Sequence, residues 1–197
     1  MAPRLLAPDA SEFDDCFCDS RYSIFRLETL QSYRSPSEAP QLEAFLAGRQ
    51  RPITPGEREW VELVRDRSRE GCVMQRVHVV TEPISDYMRF ELAWSYPPHV
   101  AAGEDVRIIP VTEGGPWPAD LPHRDFWFFD SSALFDMHYD PEGAWLGVEP
   151  VTDPARIVAA CLARDAALHH ATPWADYITA RPQLARLVPA EAMPRMS

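Results

Sequence analysis

The chain has 197 residues, 46% hydrophobic and 25% charged, which suits one soluble globular domain with its own core and would crowd two full domains. Its 19 basic side chains face 30 acidic ones, a formal charge of -11, so a bare nucleic-acid backbone would be repelled and direct binding is not expected. There is no lysine and no asparagine, which excludes a standard Walker P-loop, a Schiff-base enzyme and a kinase strand lysine.

Residues 1–10, with Pro3 and Pro8, predict a flexible arm, and 181–197, with Pro182, Pro189 and Pro194, a proline-rich tail with at most one short helix. The expected domain is 11–180. Residues 22–28 alternate apolar and polar side chains, an edge or half-buried strand. Ser35-Pro36 opens a helix over 36–47 that Gly48 closes. Thr54 as N-cap, Pro55 in the first turn and Gly71 at the end bracket a second helix. Residues 73–80 are rich in β-branched side chains and predict a strand with Arg76 and His78 on one face, Val77 and Val79 on the other. Pro83 starts a helix running through Tyr87, Phe90, Glu91 and Trp94 and ending near Pro97-Pro98.

Strands follow at 105–111, 125–130, 134–139 and 145–151, the last two joined by the turn Asp140-Pro-Glu-Gly143. Asp153-Pro154 opens a helix to about residue 171. The order predicts a single α/β domain whose mixed sheet has crossover βα units, then a β-meander and a closing helix. Cys16, Cys18, Cys72 and Cys161 form no CxxC pair, no secretory leader precedes them, and no apolar run reaches the roughly 20 residues of a membrane span. A cytoplasmic protein without membrane contact is expected.

Charges that interrupt apolar runs are the candidate site. Arg26, Glu28, Arg76, His78, Glu82, Tyr87, Glu91, Glu104 and Arg107 sit within strands and helices where an unpaired charge is costly, and arginine's planar fork suits bidentate pairing with carboxylates. Arg26, Arg76 and Arg107 are expected to meet Glu28, Glu82, Glu91 and Glu104 near one end of the sheet, either as a ligand pocket or as an internal salt-bridge network. Asp136, His138 and Asp140 share a face by the period of two and could offer metal ligands. A hairpin next to such a turn more often shows that face to water, and no metal or cofactor is expected. His169-His170 suits the carbonyl end of the last helix. Trp60, Trp94, Trp127, Trp145 and Trp174, one per element, read as core anchors.

Three blocks carry a family resemblance: Phe25-Arg-Leu-Glu28; Arg76 to Tyr87 running into Arg89-Phe-Glu-Leu92; and Gly103-Glu-Asp-Val-Arg107 followed by Asp125-Phe-Trp-Phe-Phe-Asp130. Together they closely resemble the actinomycete family of domain of unknown function 6879, over roughly residues 12–177. His99 stands where that family usually has asparagine. The resemblance implies a part in regulation, since such genes are often found beside a helix-turn-helix regulator and a small acidic protein. His123-Arg-Asp-Phe-Trp-Phe-Phe-Asp130 is also similar to half of the phospholipase D motif, with Asp125 in place of its lysine. That implies a degenerate scaffold of this kind without the phosphodiesterase chemistry.

The leading expectation is a non-catalytic regulatory or interaction module that senses a small, acidic metabolite and works with a DNA-binding partner. The alternatives are an enzyme of specialised metabolism using His123, Asp130, Arg76 or Glu91 as acid-base groups, and a toxin or antitoxin component.

Overall fold

The computed structural model describes residues 4–187. Residues 1–3 of the expected arm and 188–197 of the expected tail lie outside the described residues. Helix α1 (Ser11–Asp19) leads into strand β1 (Ser23–Glu28), then α2 (Ala39–Leu46), α3 (Pro55–Arg69) and β2 (Val73–Glu82). Next come α4 (Asp86–Phe90), a π-helical turn (Glu91–Ser95), α5 (Tyr96–Ala102) and β3 (Asp105–Thr112). The meander is β4 (Phe126–Phe129), β5 (Ala133–Tyr139) and β6 (Trp145–Val151), and α6 (Pro154–His170), β7 (Thr172–Pro173), α7 (Trp174–Thr179) and α8 (Pro182–Ala185) complete the fold.

All the strands join one mixed sheet in the order β6-β5-β4-β1-β2-β3-β7. β1, β2 and β3 are parallel, and β4, β5, β6 and β7 are added antiparallel. The expected single α/β domain is therefore present, but β1 is not an edge or half-buried strand. It lies between β2 and β4, and Ile24, Phe25, Leu27 and Glu28 are all buried. A charge on β1 therefore has a strand on either side instead of water.

Register decides which side chains share a face. Arg26 lies opposite Arg76 on β2 and Trp127 on β4, and Arg76 lies opposite Val106 on β3. By the period of two, Glu28 and His78 follow on this same face. On the opposite face Phe25, Leu27, Val77 and Phe126 pack against Ala160, Ala163 and Ala167 of α6, small residues that let the helix approach closely. At the far edge, Leu6 and Val148 exchange backbone hydrogen bonds of 2.8 and 3.1 Å. A Cβ at Gly147 would collide with the Leu6 carbonyl, so glycine there admits this pairing. Within the expected arm, Leu6 is thus buried and held.

The local signals work where they are strongest. The Thr54 hydroxyl accepts the Glu57 N–H at 3.3 Å at the head of α3, and that of Ser85 accepts the Met88 N–H at 3.1 Å at the head of α4. Helix α1 did not follow from the sequence reading. Its signal is Phe13 and Phe17 at i, i+4, both buried, with Glu12 and Asp14 in the first turn.

The helix expected to end near Pro97-Pro98 instead continues to Ala102. Prolines have no N–H to give the preceding turn, which normally ends a helix by orphaning carbonyls. Here side chains from elsewhere take their place. The Trp174 indole donates to the Leu92 carbonyl at 2.9 Å, and Arg51 donates to the Trp94 carbonyl at 2.9 Å. The widened π turn just before the prolines is where these partners enter. Among the described residues, no helix is long and apolar enough to cross a membrane.

Candidate functional site

Two arginines side by side on neighbouring parallel strands repel unless a carboxylate joins them. Glu28, two residues beyond Arg26, does so. Its Oε1 accepts Arg26 at 2.9 Å and its Oε2 accepts Arg76 at 2.8 Å. Arg76 turns its Nε to Glu104, at the start of β3, at 2.8 Å. The Trp60 indole donates to the other Glu104 oxygen at 3.2 Å, and His99 stands 3.3 Å from it. The arginine planes also lie over aromatic rings. Arg26 is 4.9 Å from the centre of Trp127, and Arg76 is 5.9 Å from Trp60.

Burial alone would raise the Glu28 carboxyl, but Arg26 and Arg76 override it and hold it at about 2. Glu104 is likewise held below the usual carboxylate range by Arg76 and His99 against the effect of burial. Both stay ionised at neutral pH. His78 is completely buried, and its Nε2 lies 2.7 Å from the Leu30 carbonyl, which can only accept. Nε2 therefore carries the proton, and Nδ1 accepts the Tyr96 hydroxyl at 2.6 Å. Burial lowers the pKa of this ring, with Glu28 and the Leu30 carbonyl pulling the other way. His78 is a neutral hydrogen-bond bridge.

Above this charge row the helices do not close onto the sheet. A cavity of about 570 Å³ opens between α1, the start of α3, the π turn and the ends of the meander strands. That is within the usual range for a small-molecule site. Arg26, Glu28 and Arg76 form its floor, and Trp60, Trp127 and Trp145 stand around it. Of the tryptophans expected in the core, Trp174 is fully buried there, while these three also face the cavity. Tyr33 and Tyr139 add rings 5.3 Å apart. Tyr33 is fixed because its hydroxyl donates to Asp125 at 2.5 Å, and Asp125 also accepts the Thr29 N–H at 2.7 Å. Asp125 clamps the strand-to-helix connection.

The remaining expected site residues divide. Tyr87 and Glu91 line the same cavity. Burial, with Glu38 and Glu28 nearby, holds the Glu91 carboxyl well above its ordinary value. Glu82 lies on the same face of β2 as Arg76 but six residues further on, about 20 Å along a strand, where it accepts Tyr177 at 2.7 Å and Arg181 at 2.9 Å. Arg107 is opposite Val77 in register and so faces the other side of the sheet, where it pairs with Asp105 at 2.9 Å. Neither joins the cluster, contrary to expectation. The reason in one case is distance along the strand and in the other the parity of the register.

His123 and Asp130 do not meet either. They flank opposite ends of β4. His123 is exposed and stacks on Trp117 with ring centres 4.3 Å apart. Asp130 accepts the backbone N–H groups of Arg21, Tyr22 and Ser23 at 2.8, 2.8 and 2.9 Å, which anchors the entry to β1. Asp136, His138 and Asp140 each have partners of their own. Asp136 takes Arg124 and Arg156 at 3.1 and 2.7 Å, His138 stands 3.0 Å from Glu149, and Asp140 accepts the Ala144 N–H at 2.8 Å. No cluster of metal-ligating side chains forms among the described residues. His170 ends α6 3.1 Å from Asp120.

The cavity residues that sequence reasoning missed are Glu38 and the aromatic wall. Tyr33, Tyr139 and Trp60 carry no local signal that separates a cavity wall from a core. A model for a family described as Domain of unknown function (DUF6879) matches residues 11–179. No curated protein matches the chain at a significant level.

Proposed function

We propose that this chain, which belongs to the DUF6879 family, is a non-catalytic regulatory module that binds a small molecule in the cavity and works with a DNA-binding protein. The observation that carries this reading is the cavity itself: about 570 Å³ of space with ionised, buried groups on its floor and aromatic rings around it. Most of the charge row is mutually paired, as in a rigid scaffold, yet it opens onto space that a purely structural network would have no need to keep. The net charge of -11 fits a partner that itself contacts the DNA. The resemblance to genes neighbouring a helix-turn-helix regulator names the kind of partner. Four cysteines that are all free thiols fit a reducing cytoplasm.

The test is ligand-induced stabilisation of the purified chain, followed by reconstitution with a helix-turn-helix regulator of the kind the family resemblance implies. A ligand at about 100 times its Kd adds about 2.7 kcal/mol, a rise in melting temperature of about 5–10 °C for a chain of this size. The same ligand should change the regulator's affinity for its operator only when this chain is present. A regulator that never forms a complex with the chain, with or without ligand, would refute the reading. A second reading, an enzyme, draws on one feature: Glu91 is a buried carboxyl beside the cavity whose pKa burial holds well above its ordinary value, the direction a general acid requires. Ligand turnover abolished by Glu91→Gln would favour it.

A further inference from the structure

The charge balance of the cavity identifies the class of ligand. Its arginines first suggest an acidic molecule, but the two on the floor are already matched, and Arg34 and Asp14, which also line it, are exposed and opposite in sign. Arg26 and Arg76 answer Glu28 and Glu104, and Glu57 on the same wall is answered by Arg51. Of the lining carboxylates shielded from solvent, two have no such cation. Glu38, just ahead of α2, receives the Tyr87 hydroxyl at 3.1 Å. Glu91, at the first position of the π turn, is 4% exposed, and its buried Oε1 has no hydrogen-bond partner. An oxygen left in this state costs about 1–3 kcal/mol, and Tyr87 and Ser95 bring the two carboxyl groups neutral hydroxyls but no paired cation. Nearby, Tyr33 lies 5.9 Å from Tyr87 and 5.3 Å from Tyr139, centre to centre. Aromatic faces of this kind attract cations. A calcium ion takes six to eight oxygens, more than two carboxylates and a phenol supply.

We propose that the cavity takes a small organic amine, whose ammonium group donates to Glu91 and Glu38 while its hydrocarbon or aromatic body lies against the rings of Tyr33 and Trp127. The proposal rests on the cavity being a small-molecule site and adds the charge and class of its occupant. It also fixes the proton balance. In the unoccupied cavity the Glu38–Glu91 pair holds a proton, because burial and mutual repulsion oppose two charges there. The ammonium ion replaces that proton, which leaves to solvent, and the amine keeps its own. The carboxylate, guanidinium and phenols facing the pair do not exchange protons near neutral pH. Glu28 on β1 stays ionised, Arg76 on β2 stays charged, and Tyr87 on α4 and Tyr96 on α5 are held above their ordinary values by burial and stay neutral. His99 on α5 also lines the cavity and favours the ionised form of Glu38, while it stands 3.3 Å from Glu104. Affinity for an amine therefore rises with pH through the range in which the pair gives up its proton.

The experiment is titration calorimetry of the full chain with tryptamine and phenethylamine, and with the matched acids indole-3-propionate and 3-phenylpropionate, in phosphate and in HEPES. The amines are expected to bind at least about tenfold more tightly than the acids, and the enthalpy to differ between buffers by the release of a proton. Glu91→Gln, which keeps the shape and removes the charge, should weaken the amines by at least about tenfold without lowering the melting temperature. Acids that bind as well as amines, amine binding that Glu91→Gln does not change, or no binding by either set at millimolar concentration would each overturn the amine class. Ser37→Trp, which fills the cavity mouth, separates the two levels. Acid binding lost in Ser37→Trp leaves the cavity a ligand site and removes only the amine. No binding by either set, with an unaltered regulator complex in Ser37→Trp, removes both.

Discussion

Replacing Arg76 with methionine asks whether the charge row holds the fold together. Arg76 is 6% exposed and is shared by Glu28 and Glu104, each 3% exposed. Its removal strands the charge of Glu104, which keeps the Trp60 indole at 3.2 Å, while Glu28 keeps Arg26 at 2.9 Å. The loss is therefore that of one broken buried pair, about 3–5 kcal/mol, instead of twice that. In a chain of this size the melting midpoint should fall by about 6–20 °C. Urea unfolding at pH 7, followed by tryptophan fluorescence, measures it directly. Adding Glu104→Gln removes one stranded charge, so the double variant should be more stable than the sum of the singles by about 1–3 kcal/mol.

Acid unfolding gives an independent check. Glu28 titrates at about 2 in the folded chain against an ordinary 4.5. The folded value is the lower, so the stability it contributes is complete above pH 4.5 and is lost as pH falls toward 2. With Arg76 gone, that acid loss should shrink. A variant within about 0.5 kcal/mol of the parent, with an unchanged acid profile, would show that the arginine is not what holds the two carboxylates.

Glu91 should behave in the opposite sense. Its folded value is raised, so it favours the folded state at low pH and the advantage drains away as pH rises above 4.5. Glu91→Gln should thus match the parent near pH 4 and exceed it by about 0.5–2 kcal/mol at pH 8, read by urea unfolding at both values. Asp130→Ala removes the acceptor of three backbone N–H groups and should cost about 1–3 kcal/mol. His123→Ala, at an exposed ring, should stay within about 0.5 kcal/mol, and equal losses would contradict their separation. Arg51→Ala strands the Trp94 carbonyl before Pro97-Pro98 and should cost about 1–3 kcal/mol. Hydrogen exchange should quicken first over residues 96–102, and unchanged exchange there would exclude the bridging role.

Elements with strong local chemistry were legible along the chain. Thr54-Pro55 and Asp153-Pro154 open helices because capping uses only neighbouring residues, and the alternation through Arg76 and His78 marks a strand because its period is built into the backbone. That Arg26, Glu28, Arg76 and Glu104 belong together was legible too, since buried charge must be compensated wherever it falls. Which charges leave the group was not. Arg107 turns away and Glu82 lies too far along because pairing register and strand order arise between segments distant in sequence. The second helix of the crossover passes its two prolines only because Arg51 and Trp174 arrive from other elements. The cavity belongs to the tertiary structure alone. Trp60, Trp127 and Trp145 have the composition of a core, and whether such side chains touch or leave a space is set by how far the helices stand from the sheet, a property of the packed whole that no local pattern encodes.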